Sequence, residues 1–267
     1  MSAFTEPIFA WEPVTPRGVA AFARAPLGRL LLVQAVAAAL AAAAVTWFLY
    51  DGCFPTVTAA IQSLPPDGEI HAGRLDWRGE SPVLLASGPF LAFIVDPGHG
   101  GDVRSPADFQ IEFGASSVCC YSLFGGEEIF YPSGKSFYFN QTDLKPLWGA
   151  WSPEILVLAA LAVFFGLLLA WALLAAVYFL PVWLVCFFTG RDLNFRASWR
   201  LAGAALMPGA LVMALAVLLY DFGLFDLVQL SFAFGMHFIL GWIYLFVSPL
   251  FLKRTLPAGK ANPFATK

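Results

Sequence analysis

Charged residues in this chain are almost entirely confined to polar blocks between long apolar runs. Only Asp221 and Asp226 carry charge outside those blocks. Of the 267 residues, 59% are hydrophobic and 12% are charged, and the mean hydropathy is +0.73. In a soluble domain, about 25% of the residues are charged. Because so much apolar surface needs lipid to cover it, this separation predicts a chain that crosses a membrane several times.

Four apolar runs are long enough to cross the roughly 30 Å of a bilayer as helices. They predict transmembrane helices at 30–50, 154–188, 201–220 and 227–252. The second run has the length of one long helix or of two short ones. Two crossings would place the arginines that follow it on the outside, against the charge bias, so we favour one helix that tolerates a kink at Pro181.

The polar blocks differ in the sign of their charge. Ten of the 15 Lys and Arg residues lie in 1–29, 189–200 and 253–267, whereas 51–154 holds thirteen acidic residues and five basic ones. Basic residues near the ends of spans remain in the cytoplasm. The pattern predicts a cytoplasmic arm, loop and tail in those three blocks, an outer turn at 221–226, and both termini inside. The residues expected to set this topology are Arg24, Arg29, Arg191, Arg196, Arg200, Lys253 and Arg254.

The acidic segment 51–153 consists of short β-branched and aromatic stretches between turn residues, which is typical of strands. The expected strands are 68–77, 83–86, 90–95, 109–113, 117–123, 128–131 and 136–140, with a hairpin turn at Pro132-Ser133-Gly134. About a hundred residues can bury a single core. The predicted fold is therefore a membrane α-helical bundle of four transmembrane helices, with a β-rich extracytoplasmic domain inserted between helices 1 and 2.

Three of the four cysteines, Cys53, Cys119 and Cys120, fall in the segment that we place outside, where disulfides persist. Cys53 can bridge to Cys119 or to Cys120. The alternative, of equal weight, is that all three are free or buried thiols, because adjacent cysteines seldom bridge each other without strain. Sequence alone leaves the two alternatives open.

Few polar residues are expected at membrane depth. His237 is the ionisable one, and Gln34 and Gln229 are the other candidates. A proton relay or ion site usually recruits carboxylates, and none lies near His237 in its run. Hydrogen bonding between helices is therefore the favoured role. The small residues Gly203, Gly209, Gly235 and Gly241 predict close helix packing, within the chain or between copies of a homo-oligomer.

No motif predicts catalysis. His71 with Asp76, and His99 with Asp102, bring imidazole and carboxylate groups close in sequence, but no spacing predicts three convergent metal ligands. The chain lacks Gly-x-Ser-x-Gly, His-Glu-x-x-His, phosphate-loop and Cys-x-x-Cys patterns. We therefore predict no catalytic residues, metal or cofactor. The net charge of −3 provides no general basic surface, so nucleic acid is not expected as a partner.

Several short motifs carry a family resemblance. They are Leu64-Pro65, Gly68-Glu69-Ile70, Gly73-Arg74-Leu75, Phe93-Ile94-Val95-Asp96-Pro97 and Trp199-Arg200-Leu201-Ala202. Their order resembles a bacterial membrane-protein family catalogued as domain of unknown function 1189, over most of the chain. The resemblance implies a location in the bacterial inner membrane, with the insert facing the periplasm or cell exterior. It brings no catalytic residues.

These observations favour a non-enzymatic envelope protein whose outer domain binds a protein partner or ligand. The first alternative is an accessory subunit of a transporter or channel, in which the four helices matter more than the insert. The second is a membrane-embedded enzyme, for which His71, His99 and the neighbouring acids are the available candidates.

Overall fold

The computed structural model describes residues 11–98, 100, 103–191 and 193–254. Within them, four helices are long and apolar enough to cross a membrane: Leu27–Gln62, Gln141–Phe188, Phe195–Asp221 and Leu227–Phe251. A β-sheet region lies between the first two along the chain. The predicted combination of four apolar helices with an inserted β region is therefore confirmed. Residues 1–10 of the predicted arm, 255–267 of the predicted tail, His99 and Asp102 lie outside the described residues.

The first three of the four long helices extend beyond the predicted apolar runs. The α-helices are α1 (Pro16–Ala21), α2 (Leu27–Phe48), α3 (Phe54–Gln62), α4 (Gln141–Phe188), α5 (Phe195–Ala205), α6 (Met207–Asp221) and α7 (Leu227–Val247). A π-helical turn, Leu49–Cys53, joins α2 to α3, and 3₁₀ turns cover Phe22–Arg24 and Ser248–Phe251. α5 and α6 meet at Leu206, because Pro208 has no N–H group to continue the helical bonding.

Local capping explains why two helices begin earlier than predicted. Asn140 accepts a hydrogen bond from the Asp143 N–H at 2.8 Å, which starts α4 thirteen residues before the expected position 154. Asn194 accepts one from the Ala197 N–H at 2.8 Å, so α5 starts at Phe195 rather than at 201. Side-chain caps of this kind satisfy N–H groups that have no partner inside the helix. A search for apolar runs does not detect these helix starts, because the first turns of α4 and α5 contain polar residues.

The chain divides into two compact units. The helical unit comprises the described residues of Met1–Ala44, Ala160–Leu219 and Val228–Lys267. The β unit comprises Val45–Ala159 and Tyr220–Leu227. In the helical unit, the core joins small and large apolar residues, among them Phe22, Leu30, Ala38, Trp171, Ala175, Leu201, Met207 and Leu245.

The described residues of the β unit form two sheets. Its strands are β1 (Glu69–His71), β2 (Arg74–Asp76), β3 (Val83–Ser87), β4 (Leu91–Val95), β5 (Phe109–Phe113), β6 (Ser117–Ser122), β7 (Gly125–Phe130) and β8 (Phe137–Tyr138). The larger sheet has the order β3-β4-β5-β6-β7, with β4 and β5 parallel and the other pairs antiparallel. The smaller sheet has the order β2-β1-β8. The apolar core includes Ala60 and Leu64 of the α3 region with Leu75, Val95 and Phe139.

Two predicted features of the β region are wrong. The single strand expected at 68–77 is a hairpin, because Ala72 and Gly73 both have positive φ angles, of 50° and 77°, and reverse the chain. Pro132-Ser133-Gly134 is not a hairpin turn, because β7 and β8, the strands on either side of it, belong to different sheets. The hairpin that precedes this segment joins β6 to β7, and Leu123 and Phe124 form its turn.

Two glycines of the helical unit provide a test of helix packing. A Cβ atom on Gly209 of α6 would lie 2.4 Å from the His237 carbonyl oxygen of α7, whereas one on Gly235 would meet nothing within 4 Å. We expect Gly209→Ala to lower the free energy of unfolding in detergent by about 1–3 kcal/mol, as overpacking does. Gly235→Ala is the matched control and should raise it by up to about 1 kcal/mol through helix propensity. Equal effects would contradict the α6–α7 contact.

Candidate functional site

Strand β7 forms an exposed edge of the larger sheet. It is the last strand in the order β3-β4-β5-β6-β7, and all six of its residues are exposed. The free side of an edge strand presents a row of backbone N–H and C=O groups, which is a template for a further strand. β7 therefore offers backbone hydrogen bonds to a partner.

The connection from β6 to β7 exposes large apolar side chains. Leu123 and Phe124 are 59% and 70% exposed, and Ile129 and Phe130 of β7 are 62% and 68% exposed. Two-residue loops of β-hairpins usually consist of Gly, Asn or Asp, because these residues readily adopt the positive φ angles that such turns require. Here the neighbouring Gly125 has the positive φ angle, of 122°. Because side chains this exposed add little to folding stability, their grouping is typical of an interaction site. We call residues 123–130 the β7 surface.

Two adjacent glutamates give the β7 surface a negative charge. Glu127 and Glu128 point to opposite faces, since side chains alternate along a strand. Ser117 donates a hydrogen bond to the Glu128 carboxylate at 2.6 Å, which fixes that side chain. Charges on an edge strand discourage indiscriminate pairing. They also favour a partner strand with basic side chains opposite them.

A polar layer supports one face of the sheet beneath this surface. Glu112, Cys119 and Glu128 occupy paired positions on β5, β6 and β7 and so share a face. The buried Gln110 side chain donates to the Glu112 carboxylate at 3.5 Å and accepts from the Ser105 N–H at 3.1 Å. These bonds hold the chain before β5 against the sheet.

Two tyrosines near this layer remain protonated at neutral pH. Burial raises the pKa of Tyr121 to about 12, and a hydrogen bond with Cys119 and the charge of Glu112 act in the same direction. The Arg104 guanidinium, 5.5 Å from the centre of the Tyr121 ring, opposes the increase. Burial also raises the pKa of Tyr131, whose hydroxyl donates to the Gly114 carbonyl at 3.2 Å. At neutral pH both phenols are therefore donors rather than general bases.

His71 and Asp76, which are close in sequence, bond to other residues in the structure. Nδ1 of His71 lies 2.6 Å from Oγ of Ser136, while Asp76 accepts a hydrogen bond from Arg78 at 3.2 Å. His99 and Asp102 lie outside the described residues. Among the residues that the structure describes, no group of three or more His, Cys, Asp or Glu side chains is arranged to hold a metal ion.

The three cysteines of the β unit are free thiols in the structure. Cys119 and Cys120 are consecutive on β6 and point to opposite faces of the sheet. Cys119 is buried in the polar layer, whereas Cys53 lies in the π-helical turn after α2.

Gln34 and His237, two of the predicted intramembrane polar residues, bond to backbone carbonyls. The Gln34 amide is buried and donates to the Gly203 carbonyl at 3.2 Å, which links α2 to α5. Nδ1 of His237 lies within hydrogen-bond distance of the Phe234 carbonyl in its own helix, and its ring packs on Phe238 with centroids 3.8 Å apart. Gln229 is exposed on α7. Gln34 and His237 thus have structural partners.

The three basic blocks come together within the helical unit. Arg200 donates to the Ala25 carbonyl, Arg191 donates to the Leu252 carbonyl, and Arg191 also forms a β-bridge with Arg254. Ala25 and Leu252 each follow the last residue of a 3₁₀ turn, where carbonyls have no helical partner. The arginines therefore cap helix ends. Of the other topology residues, Arg29 lies 5.2 Å from the centre of the Trp11 ring, and Arg24 ends a 3₁₀ turn.

Sequence reasoning did not identify the polar contacts around the turn at 220–227. The Tyr220 hydroxyl donates to the Asp108 carboxylate at 2.5 Å, and its ring packs on Phe90 at 4.7 Å between centroids. Both carboxylate oxygens of Asp221 are buried, and Asp51 and Trp47 interact with this side chain. These residues are distant in sequence, so no spacing motif connects them. The apolar pair Leu123-Phe124 between Ser122 and Gly125 is a sequence signal for an exposed hairpin tip, but not for the edge position of β7.

Comparison with protein-family models, with curated proteins and with solved structures finds no match to this chain. The resemblance to the domain of unknown function 1189 family stays a prediction.

The Tyr220 contact provides a stability test of the β unit. We expect Tyr220→Phe to lower the free energy of unfolding by about 1.5–3 kcal/mol, because it removes a hydrogen bond to a charged group. Tyr138→Phe removes a hydroxyl that is exposed on β8 and is the matched control, with no measurable change expected. Thermal unfolding of the detergent-solubilised full chain measures both. A loss no larger for Tyr220→Phe than for the control would contradict a stabilising Tyr220–Asp108 bond.

Proposed function

We propose that this chain is a non-enzymatic protein of the bacterial inner membrane, and that its β unit binds a protein partner through the β7 surface on the extracytoplasmic side. The observation that carries the proposal is an exposed edge strand next to an apolar hairpin tip. Residues 123–130 lie outside the four candidate spans. Contact between lipid and the spans therefore does not explain why these apolar side chains are exposed. The four apolar helices supply the anchor.

The charge distribution supports the orientation. The segment 51–154 holds thirteen acidic residues and five basic ones. The three basic blocks contact one another, because Arg191 donates to the Leu252 carbonyl and Arg200 donates to the Ala25 carbonyl. Basic residues near spans favour the cytoplasmic side. The β unit is then extracytoplasmic and both termini are cytoplasmic.

The chemistry of the β7 surface favours an extended, basic segment as the partner. Such a segment adds a strand to β7, covers Phe124 and Ile129 with apolar side chains, and places Lys or Arg opposite the glutamates. A second copy of the chain fits less well. In the antiparallel register that pairs all six residues of β7, Glu127 of one copy would face Glu128 of the other, and facing like charges are destabilising.

Photo-crosslinking in intact cells tests the proposed partner. With a photoreactive residue at Ile129 of the full chain, we expect an adduct with a different protein. A photoreactive residue at Leu84, which is exposed on the opposite edge strand β3, should give no such adduct. Glu127→Lys and Phe124→Ser should each reduce the adduct at Ile129 at least several-fold, because they reverse the charge and remove the apolar tip. Leu84→Ser is the matched control and should leave it unchanged.

Three results would overturn the partner assignment. Adducts only between two copies of the 29.0 kDa chain would show self-association. Adducts only with lipid would show that the hairpin tip lies against a bilayer. An adduct that neither Glu127→Lys nor Phe124→Ser reduces would show that the crosslinked protein does not recognise this surface.

Cysteine accessibility tests the orientation separately. In a variant without native cysteines, a reporter at Ser133 should react with a membrane-impermeant thiol reagent in intact cells. A reporter at Lys253, which is exposed and in a basic block, should react after permeabilisation and not before. The opposite pattern would place the β unit in the cytoplasm. The crosslinking test of binding at β7 would remain valid, because it does not depend on the orientation.

A further inference from the structure

A cavity in the helical unit combines apolar walls with two guanidinium groups. Its volume is about 440 Å³, within the roughly 300–1,000 Å³ of small-molecule sites. It is lined by Leu27 at the start of α2, Ala176 and Phe179 of α4, and Phe195, Arg196, Trp199 and Arg200 of α5. Among the described residues that line the cavity, none is acidic, and Arg196 and Arg200 supply positive charge.

Among the residues that the structure describes, no partner accounts for the position of Arg196. Its side chain is exposed, and it forms no ion pair among the residues that the structure describes. It is the second residue of α5, where the positive end of the helix dipole disfavours a cation. Arg200, one turn later, uses one of its five N–H groups on the Ala25 carbonyl. A bound anion would relieve the unfavourable charge at the start of α5.

We propose that this cavity binds an anionic phospholipid. The lipid phosphate lies against Arg196 and Arg200, whose planar guanidinium groups match phosphate geometry. Part of an acyl chain lies along Leu27, Ala176 and Phe179. Trp199 also lines the cavity, and aromatic side chains of this kind favour the headgroup level of a bilayer.

The apolar walls favour a lipid over a soluble anion. A free phosphate would use the two arginines and leave Leu27, Ala176 and Phe179 without contacts. Basic pockets between membrane helices are known sites for acidic lipid headgroups. The proposal requires the chain to lie in a membrane, and it is independent of whether the β7 surface binds a protein.

Native mass spectrometry of the purified full chain tests the site, with phosphatidylglycerol and phosphatidylcholine of identical acyl chains as probes. We expect the wild-type chain to retain phosphatidylglycerol preferentially. Arg196→Gln should weaken that binding about fivefold, and the double change with Arg200→Gln about 25-fold, as expected for one surface charge each. Ala176→Trp fills the apolar part of the cavity and should abolish the preference without altering charge.

Matched controls distinguish the cavity from general surface charge and from misfolding. Lys253→Gln removes a positive charge that does not line the cavity, and Ala172→Trp adds an indole one turn before Ala176 on α4. Both should retain the preference for phosphatidylglycerol. Since Arg200 also caps Ala25, Arg196→Gln and Ala176→Trp decide the question if the double variant fails to fold.

Three outcomes would overturn the proposal. The wild-type chain could retain both lipids equally. Arg196→Gln and Lys253→Gln could weaken phosphatidylglycerol binding alike, which would show general surface attraction. Inorganic phosphate at millimolar concentration could displace the lipid, which would show a site for the free anion.

Discussion

Hydrocarbon offers no hydrogen-bond partner to a peptide group, so every segment of this chain that crosses a membrane must satisfy its backbone internally. Helices do so along their length but leave carbonyls without partners at their C-terminal ends. In the helical unit, arginine side chains serve two such ends, since Arg200 donates to Ala25 and Arg191 donates to Leu252. Gln34 in turn donates to the Gly203 carbonyl across two helices. The polar contacts of this unit thus follow from the backbone's need for partners.

The same constraint explains which parts of the fold can be predicted from sequence. Long apolar runs are sufficient to predict four helices, and alternation between turn residues predicts most strands of the β unit. The polar start of α4 at Gln141 escapes hydropathy, because it depends on the Asn140 cap. The division of 68–77 into two strands depends on positive φ angles at Ala72 and Gly73, and alanine gives no signal for that conformation.

The candidate sites were harder to predict than the fold, for a physical reason. His237 is a candidate from sequence because an ionisable group at membrane depth is costly. In the structure it bonds within its own helix. The β7 surface instead depends on which strand lies at the edge of the sheet. Strand order follows from tertiary pairing, and no local pattern distinguishes the exposed Ile129 of β7 from an apolar residue of a central strand. Edge exposure therefore becomes visible only when the sheet is assembled.

The three arginines of the basic block at 189–200 show how one charge pattern can serve several physical purposes. Membrane topology depends on the number of positive charges near the span ends and is indifferent to where each side chain points. Arg191 and Arg200 have a further role at unpaired carbonyls, whereas Arg196 lies at the start of α5 and faces the cavity. A charge needed only for topology would be less costly elsewhere in this basic block, away from the positive end of a helix. The position of Arg196 is therefore best explained by an anion that the cavity receives from the surrounding membrane.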